Sequence, residues 1–367
     1  MQVADRAPSA PSMCSSRLFE ARLNLLLLLL LQSACSRRCR QEDIEVVATP
    51  VQPLLPHSCA VLDVSHGGLC KWWKRVQAHE GKADSACQHT QALRRLGNAL
   101  HDVPRLHEIR VEHVGLDANA AEALVQTLRG DGREGAGPSA HHNTKVPSRL
   151  SFSNNHIGDK GVMRLAQLFH GAAPHSHPGL WPPRIVDLTH NGVGDEGVSA
   201  LAGALMRDDA APISELTLWH NDIGANGAAA LAKIVAKQPS TLRKLRLWHN
   251  NVGSQGAAHI AKAFVDNPLG KLQTLDLAFN SIDDEGAIAL ADAIAKSPEL
   301  RLEQIELSSN MVGDRGAERL AAALRSNTYV TRISLDNNEV SDEHAAILQI
   351  RSRIERNMEI RGKVVEL

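Results

Sequence analysis

Three histidines, His190, His220 and His249, recur 30 and 29 residues apart, and Trp219 and Trp248 directly precede the last two. Residues of these types could do several kinds of chemistry. Imidazoles ligate transition metals and change charge between pH 5 and 8. Tryptophan covers a large area and keeps one N–H donor, so it is a preferred interface anchor. Catalytic patterns are missing: there is no Gly-x-Ser-x-Gly, no phosphate-cradling Gly-x4-Gly-Lys-Ser/Thr, no His-Glu-x-x-His and no placed Cys–His pair. The expectation is a non-enzymatic chain without a cofactor.

These residues sit inside a repeated frame. Apolar-x-apolar-x-x-Asn-x-apolar fits at Asn155, Asn191, Asn221, Asn250, Asn280, Asn310 and Asn338, at intervals of 36, 30, 29, 30, 30 and 28 residues. A period of this size marks a solenoid. In the copy from Glu215, Leu216-Thr217-Leu218 alternates as a half-buried strand, and Gly227–Val235 has apolar residues at helical spacing. Each repeat reads as strand, turn, helix. One unit cannot bury its apolar face alone, but stacked copies can. A turn inside such a stack leaves backbone groups in need of partners, and an inward asparagine amide supplies both donors and an acceptor. The seven asparagines are therefore expected to form a ladder. Gly161, Gly197, Gly227, Gly256, Gly286 and Gly316 follow at the sixth position, where a small residue lets the helix approach the strands. Asp159, Asp195, Ser254, Asp284, Asp314 and Asp342 stand two places earlier and are expected to cap their own helices, with Ala225 the exception.

The frame acts as a ruler for what points outward. The residue after the second apolar strand position reads Glu112, Ser153, Thr189, Trp219, Trp248, Ala278, Ser308 and Asp336. Trp219 and Trp248 should lie on adjacent strands about 5 Å apart, either as a partner-gripping anchor or as a lateral stack that supports the sheet. The next column reads Asn154, His190, His220, His249, Phe279, Ser309 and Asn337. A spacing of about 5 Å per repeat is loose for a tetrahedral metal site, so no metal is expected. Titration on binding and simple repeat duplication both remain readings of the histidines. The candidate partner-binding set is Trp219, Trp248, His190, His220, His249, Thr217, Arg246, Asp276 and Phe279. Outward charges lean acidic, with Glu112, Asp187, Asp276, Glu306 and Asp336 against Arg110 and Arg246. That suggests a protein partner with a basic patch and argues against a nucleic-acid groove.

The signature Leu-x-Leu-x-x-Asn-x-(Ile/Val)-Gly-Asp-x-Gly-Ala-x-x-Leu-Ala-x-x-Leu, clearest in Glu306–Leu324 and Asp276–Ile294, resembles the ribonuclease-inhibitor-like leucine-rich repeats. The resemblance covers roughly Leu150 to Val340. It implies an α/β horseshoe of about 7–8 repeats, with a parallel sheet on the concave face and helices on the convex face. The family includes the ribonuclease inhibitor, which grips protein partners with concave aromatics, NOD-like receptor repeat domains and the Ran GTPase-activating protein. They share no single activity, so function stays open between a binding scaffold, a regulator of a small GTPase and an innate-sensor-like module. The acidic C-terminal tail typical of the GTPase-activating relative is missing here.

The ends depart from the frame. Ile109-Arg110-Val111 fits a strand, but Val114 replaces the asparagine and Ala120 the glycine; Ser85–Leu100 reads as one further helix. At the other end His344 replaces the glycine, ahead of a charged amphipathic helix. Atypical terminal repeats are expected of a solenoid. The division is 1–56 as a signal-like segment and linker, 57–104 as an N-terminal cap, 105–342 as the array and 343–367 as a C-terminal cap. Insertions at Gly130–Pro147 and Gly171–Pro183 read as exposed loops, for recognition or from drift.

Formal net charge is −1, which gives no support for bulk nucleic-acid or membrane attraction. Leu25–Leu31, with Arg17 and Arg22 before it and Ser33-Ala34-Cys35 after it, has the layout of a secretory signal and is too short to span a bilayer. All six cysteines, Cys14, Cys35, Cys39, Cys59, Cys70 and Cys87, precede the array. Cys59, Cys70 and Cys87 read as disulfides of a secreted cap, as zinc ligands with His66, His79 and His89, or as free thiols. None of the asparagines stands in an Asn-x-Ser/Thr site, which opposes secretion, so the compartment stays open between the cytoplasm and the secretory pathway. A monomer is expected.

Overall fold

Nine short parallel strands run in one sheet, in sequence order, in the computed structural model. It describes residues 61–63, 107–129, 148–169, 183–208, 210, 212–237 and 240–362. The strands are β1 (Val61–Asp63), β2 (Glu108–Arg110), β3 (Arg149–Ser151), β4 (Ile185–Asp187), β5 (Glu215–Thr217), β6 (Lys244–Arg246), β7 (Thr274–Asp276), β8 (Gln304–Glu306) and β9 (Arg332–Ser334). A helix follows each of the last eight: α1 (Ala118–Arg129), α2 (Gly158–Leu165), α3 (Asp195–Leu205), α4 (Ala225–Ala236), α5 (Gly253–Asp266), α6 (Asp284–Lys296), α7 (Asp314–Ala323) and α8 (Ala345–Ile360). Each helix packs on the next. This is the leucine-rich-repeat solenoid, with eight strand–helix units among the described residues. The signal-like segment, the linker, the cysteines, Ser85–Leu100 and most of both insertions lie outside the described residues.

The two periodicities of the repeat meet in one core. Each strand turns its central apolar residue inward, and these align in register: Leu216 with Leu245, Leu245 with Leu275, Leu275 with Ile305. Leu216, Leu218, Ile223 and Leu231 are all fully buried. The alanines of the helices keep the helix layer close to the sheet; Ala228, Ala257, Ala287 and Ala317 are also fully buried. Burial of this kind contributes about 25 cal/mol per Å² of apolar surface.

The turns are held from the neighbouring repeat. Asn221 donates through Nδ2 to Leu188 O, Leu218 O and Trp219 O, each at 3.0 Å. Its Oδ1 accepts from the N–H groups of Asn191 and Val193 at 3.1 and 3.0 Å. Asn155, Asn191, Asn250, Asn280, Asn310 and Asn338 likewise bond a carbonyl and an N–H of the repeat before them. Each amide therefore closes its own turn and the previous one.

The acidic column departs from the expectation of self-capping. Asp195 and Asp284 are already inside their helices, and Asp195 Oδ1 instead accepts from Gly224 N and Gly227 N of the next repeat at 2.7 and 2.9 Å. Asp159 does the same for Gly194 and Gly197, and Asp284 for Gly313 and Gly316. The physical reason is distance along the stack: the carboxylate lies under the open N–H groups of the following helix. This also explains the glycine at Gly227, where a Cβ would stand 2.5 Å from Asp195 Oδ1.

The residue in that column sets the backbone of the next turn. After an aspartate the following residue is extended, with φ −104° at Gly194, −97° at Gly224 and −98° at Gly313. After alanine it is left-handed: Gly158 follows Ala118 at φ 59° and Gly253 follows Ala225 at φ 61°. Their N–H groups then turn to Asn191 O and Asn280 O. Where Ser254 occupies the column, the next repeat brings its own Asp283, which bonds Ser254 and accepts from Glu285 N and Gly286 N.

A second polar column, unforeseen in the sequence reading, serves the helix C-termini. Lys237, Asn267, Ser297, Asn327 and Asn357 stand 30 residues apart. Lys237 Nζ donates to Leu205 O, Asn267 to Val235 O, Ser297 to Phe264 O and Asn357 to Asn327 O, whereas Asn327 Oδ1 accepts from Tyr329 N and Val330 N of its own turn. At the end of the array His344 takes the N-cap of α8 and accepts from Ala346 N, so this departure from glycine serves a cap. Arg361 after α8 reaches back to Glu303 at 2.7 Å and lies over the Tyr329 ring.

Two stability predictions follow from these contacts. Asn280→Ala, at a fully buried amide, should cost about 1–3 kcal/mol by leaving the Val252 N–H unpaired; the expected result is a lower melting temperature with the helical circular dichroism retained. Asp195→Ala should cost about 1 kcal/mol by removing the carboxylate that accepts from Gly224 N and Gly227 N; an unchanged melting temperature would contradict the cross-repeat cap.

Candidate functional site: an aromatic and histidine patch on the sheet

Register alone brings the candidate residues together. Leu216 pairs with Leu245 and Leu245 with Leu275, so three residues further on Trp219 and Trp248 stand side by side next to Ala278. Their rings meet edge to face, with centroids 5.7 Å apart at 75°. Trp248 also meets His220 at 4.4 Å and Phe279 at 5.8 Å, both at 89°. Both tryptophans are half-buried. The lateral contact is thus present, and the ring surface left open still faces outward beside it.

The next column has a backbone cause. His113, Asn154, His190, His220, His249, Phe279, Ser309 and Asn337 all have left-handed backbones, with φ between 49° and 57°. Histidine and asparagine tolerate this region better than most residues. Phenylalanine at Phe279 does not, and its side chain is 47% exposed. A bulky aromatic in this backbone region is strained. Along the column the rings form a chain: His190 to His220 at 5.8 Å, His220 stacked on His249 at 4.1 Å, and His249 stacked on Phe279 at 5.8 Å. Burial lowers the His220 pKa below its ordinary value, and the neighbouring His249 and His190 lower it further. Stacked imidazoles resist taking a second charge. Among the described residues no group of three or more His, Cys, Asp or Glu could hold a metal ion.

The strand face below corrects two expectations. Thr217 is only 8% exposed, so its hydroxyl offers a partner almost nothing. The outward charges are also less acidic than one column suggests. The flanking column adds Arg149, Lys244 and Arg332 against Glu108 and Glu215, and Lys244 and Arg246 pair with Glu215 at 2.9 and 3.7 Å. Arg332 pairs with Glu306 at 2.8 Å. Arg246 and Asp276 stand directly opposite each other on β6 and β7.

Burial pushes the Asp276 carboxyl above its ordinary pKa, opposed by the Ala278 N–H, the Trp219 indole and Arg246. The Trp219 N–H is buried and faces that carboxyl without reaching hydrogen-bond geometry. Burial likewise raises Glu306; Arg332 opposes this, while Asp276 and Asp336 add to it. A carboxyl whose folded pKa is raised weakens the fold once ionised, and the cost disappears as pH falls through its titration. Asp276→Asn should therefore melt higher than the natural chain at pH 7, with the gap shrinking toward pH 4. A gap that widens on acidification would contradict the burial account.

Known proteins add the following. A leucine-rich-repeat family signature matches residues 148–166, 184–202, 238–261 and 271–291. No curated protein matches the chain. Among solved structures, actin-binding site 2 of leiomodin-1 aligns at 16% identity and TM-score 0.32, over 37% of this chain and 75% of that one. The TLR13–ssRNA13 complex aligns at 14% identity and TM-score 0.41, over 83% and 35%. An internalin of Listeria monocytogenes aligns at 14% identity and TM-score 0.40, over 89% and 92%. Likeness at this level says nothing about a partner. No helix among the described residues is long and apolar enough to cross a membrane. The four sequence matches and the sequential parallel strand–helix stack agree: this chain carries leucine-rich repeats and folds as a leucine-rich-repeat solenoid.

Proposed function

We propose that the chain is a non-enzymatic binding scaffold that engages a protein partner on the concave sheet face, through the patch of Trp219, Trp248, His220, His249 and Phe279. The carrying observation is Phe279: an exposed aromatic ring in a left-handed turn, stacked on His249 and edge-on to Trp248. Interface energy concentrates in a few large aromatic anchors with a polar surround, and this surface has that composition. The solenoid contributes a rigid, extended support for it.

Charge refines the reading. Asp276, Glu306 and Asp336 stand on or beside three successive strands; burial strains Asp276, and burial together with repulsion from Asp276 and Asp336 strains Glu306. A cationic side chain from the partner would relieve that strain, which supports a partner with a basic patch next to the aromatic anchors. A helix in each of the eight described units supports the ribonuclease-inhibitor-like subclass. The GTPase-regulator alternative has no such observation in its favour.

The test is a comparative pull-down with the natural chain and the Trp219→Ala/Trp248→Ala double variant. The expected result is a set of proteins retained by the first and lost by the second, with affinity down at least about thirtyfold for a confirmed partner, as hot-spot truncation implies. Far-UV circular dichroism should be unchanged, because the strand and helix cores lie elsewhere. Undiminished binding by the double variant removes the anchor reading.

A further inference from the structure

Beside the tryptophans, along the rim where the strands end, runs an open groove of about 770 Å³. Its ionisable lining is unusual. His113, His156, His190, His220 and His249 line it, with Asp222 as the one carboxylate, and no lysine or arginine contributes. Asparagine amides and backbone groups complete the wall. With neutral imidazoles the groove carries one formal negative charge, and each imidazole that takes up a proton moves that charge toward positive.

We propose that this groove is a pH-gated docking channel for an extended acidic segment of a partner protein, repelling it when the imidazoles are neutral and attracting it when they are charged. Length supports an extended segment. The lining runs over five successive repeats, from the turn after β2 to the turn after β6. At about 4.8 Å per strand that is about 19 Å, the reach of about six extended residues at about 3.3 Å each. The open, hydrogen-bonding wall suits a polar chain better than an enclosed apolar ligand.

The switch is built into the stacked rings. His220 lies 4.1 Å from His249 and 5.8 Å from His190, and these two are the charged groups that act on it. Neighbouring imidazolium charges repel one another, and a carboxylate laid along the column compensates them. Binding and proton uptake therefore favour each other, and linkage makes the coupling reciprocal. His220 also touches Trp248, so the groove extends the proposed partner surface. The inference rests on that surface being the recognition face.

The experiment uses the full chain and a fluorescein-labelled hexaglutamate peptide, with hexaglutamine as the uncharged control, at fixed ionic strength. Glutamate stays ionised at pH 5.5, since its ordinary pKa is about 4.3. The expected result is at least tenfold tighter hexaglutamate binding at pH 5.5 than at pH 7.5, and no gain for hexaglutamine. The variant His190→Asn/His220→Asn/His249→Asn keeps a residue suited to the left-handed turn and should reduce the gain below threefold. Asp222→Asn, which leaves every histidine in place, should tighten hexaglutamate about threefold at pH 5.5. Equal affinity at the two pH values, an undiminished gain in the triple variant or no effect of Asp222→Asn overturns the proposal. Partner binding that survives loss of both tryptophans would instead sink the anchor reading and leave the peptide result standing.

Discussion

The described turns of this solenoid contain backbone groups that water cannot reach, and an adjacent repeat satisfies them, through an asparagine or aspartate side chain or through its own backbone. That constraint organises the molecule. The amide of Asn221 bonds Leu188 O and Val193 N of the previous repeat as well as Leu218 O of its own. The carboxylate of Asp195 closes the next helix, and Asn267 closes the helix before it. An unpaired buried group costs about 1–3 kcal/mol, so no repeat of this kind is stable with its neighbours removed. Stability is shared between nearest neighbours along the stack.

The same constraint builds the outward surface. Because each turn is fixed to the next, the strands cannot slip by a residue, and a slip would turn the inward leucines to solvent. The columns outside the core are therefore strict. Trp219 falls beside Trp248, and the left-handed position before each asparagine projects one side chain per repeat. His190, His220, His249 and Phe279 form a continuous chain because they occupy that position in successive repeats. The groove above them takes His113, His190, His220 and His249 from the same column.

The sequence disclosed what depends on one residue type at one spacing. The period, the strands, the helices and the inward asparagines were legible because apolar alternation and an amide at a fixed place have few other uses. The acidic column was legible as a capping column but assigned to the wrong helix: spacing cannot say whether Asp195 reaches its own N-terminus or the one stacked above it. The column of Lys237, Asn267, Ser297, Asn327 and Asn357 was missed although its spacing is regular, because three residue types share one role. The exposed strand charges were read from too few columns, and the ion pairs of Glu215 and Glu306 became visible only with neighbouring strands in place. Burial of Thr217 likewise depends on side chains from other repeats.

The account stands on cross-repeat satisfaction of the turns, and native-state hydrogen exchange reads it directly. Asn280 N and Ile282 N donate to Asn310 Oδ1 at 2.9 and 3.0 Å and belong to no helix or strand. The account predicts that these two loop amides are protected as strongly as the adjacent strand amide of Leu275, and that both lose protection in Asn310→Ala while the amides of α3 keep theirs. Exchange of Asn280 and Ile282 at the rate of an exposed loop in the natural chain would contradict it.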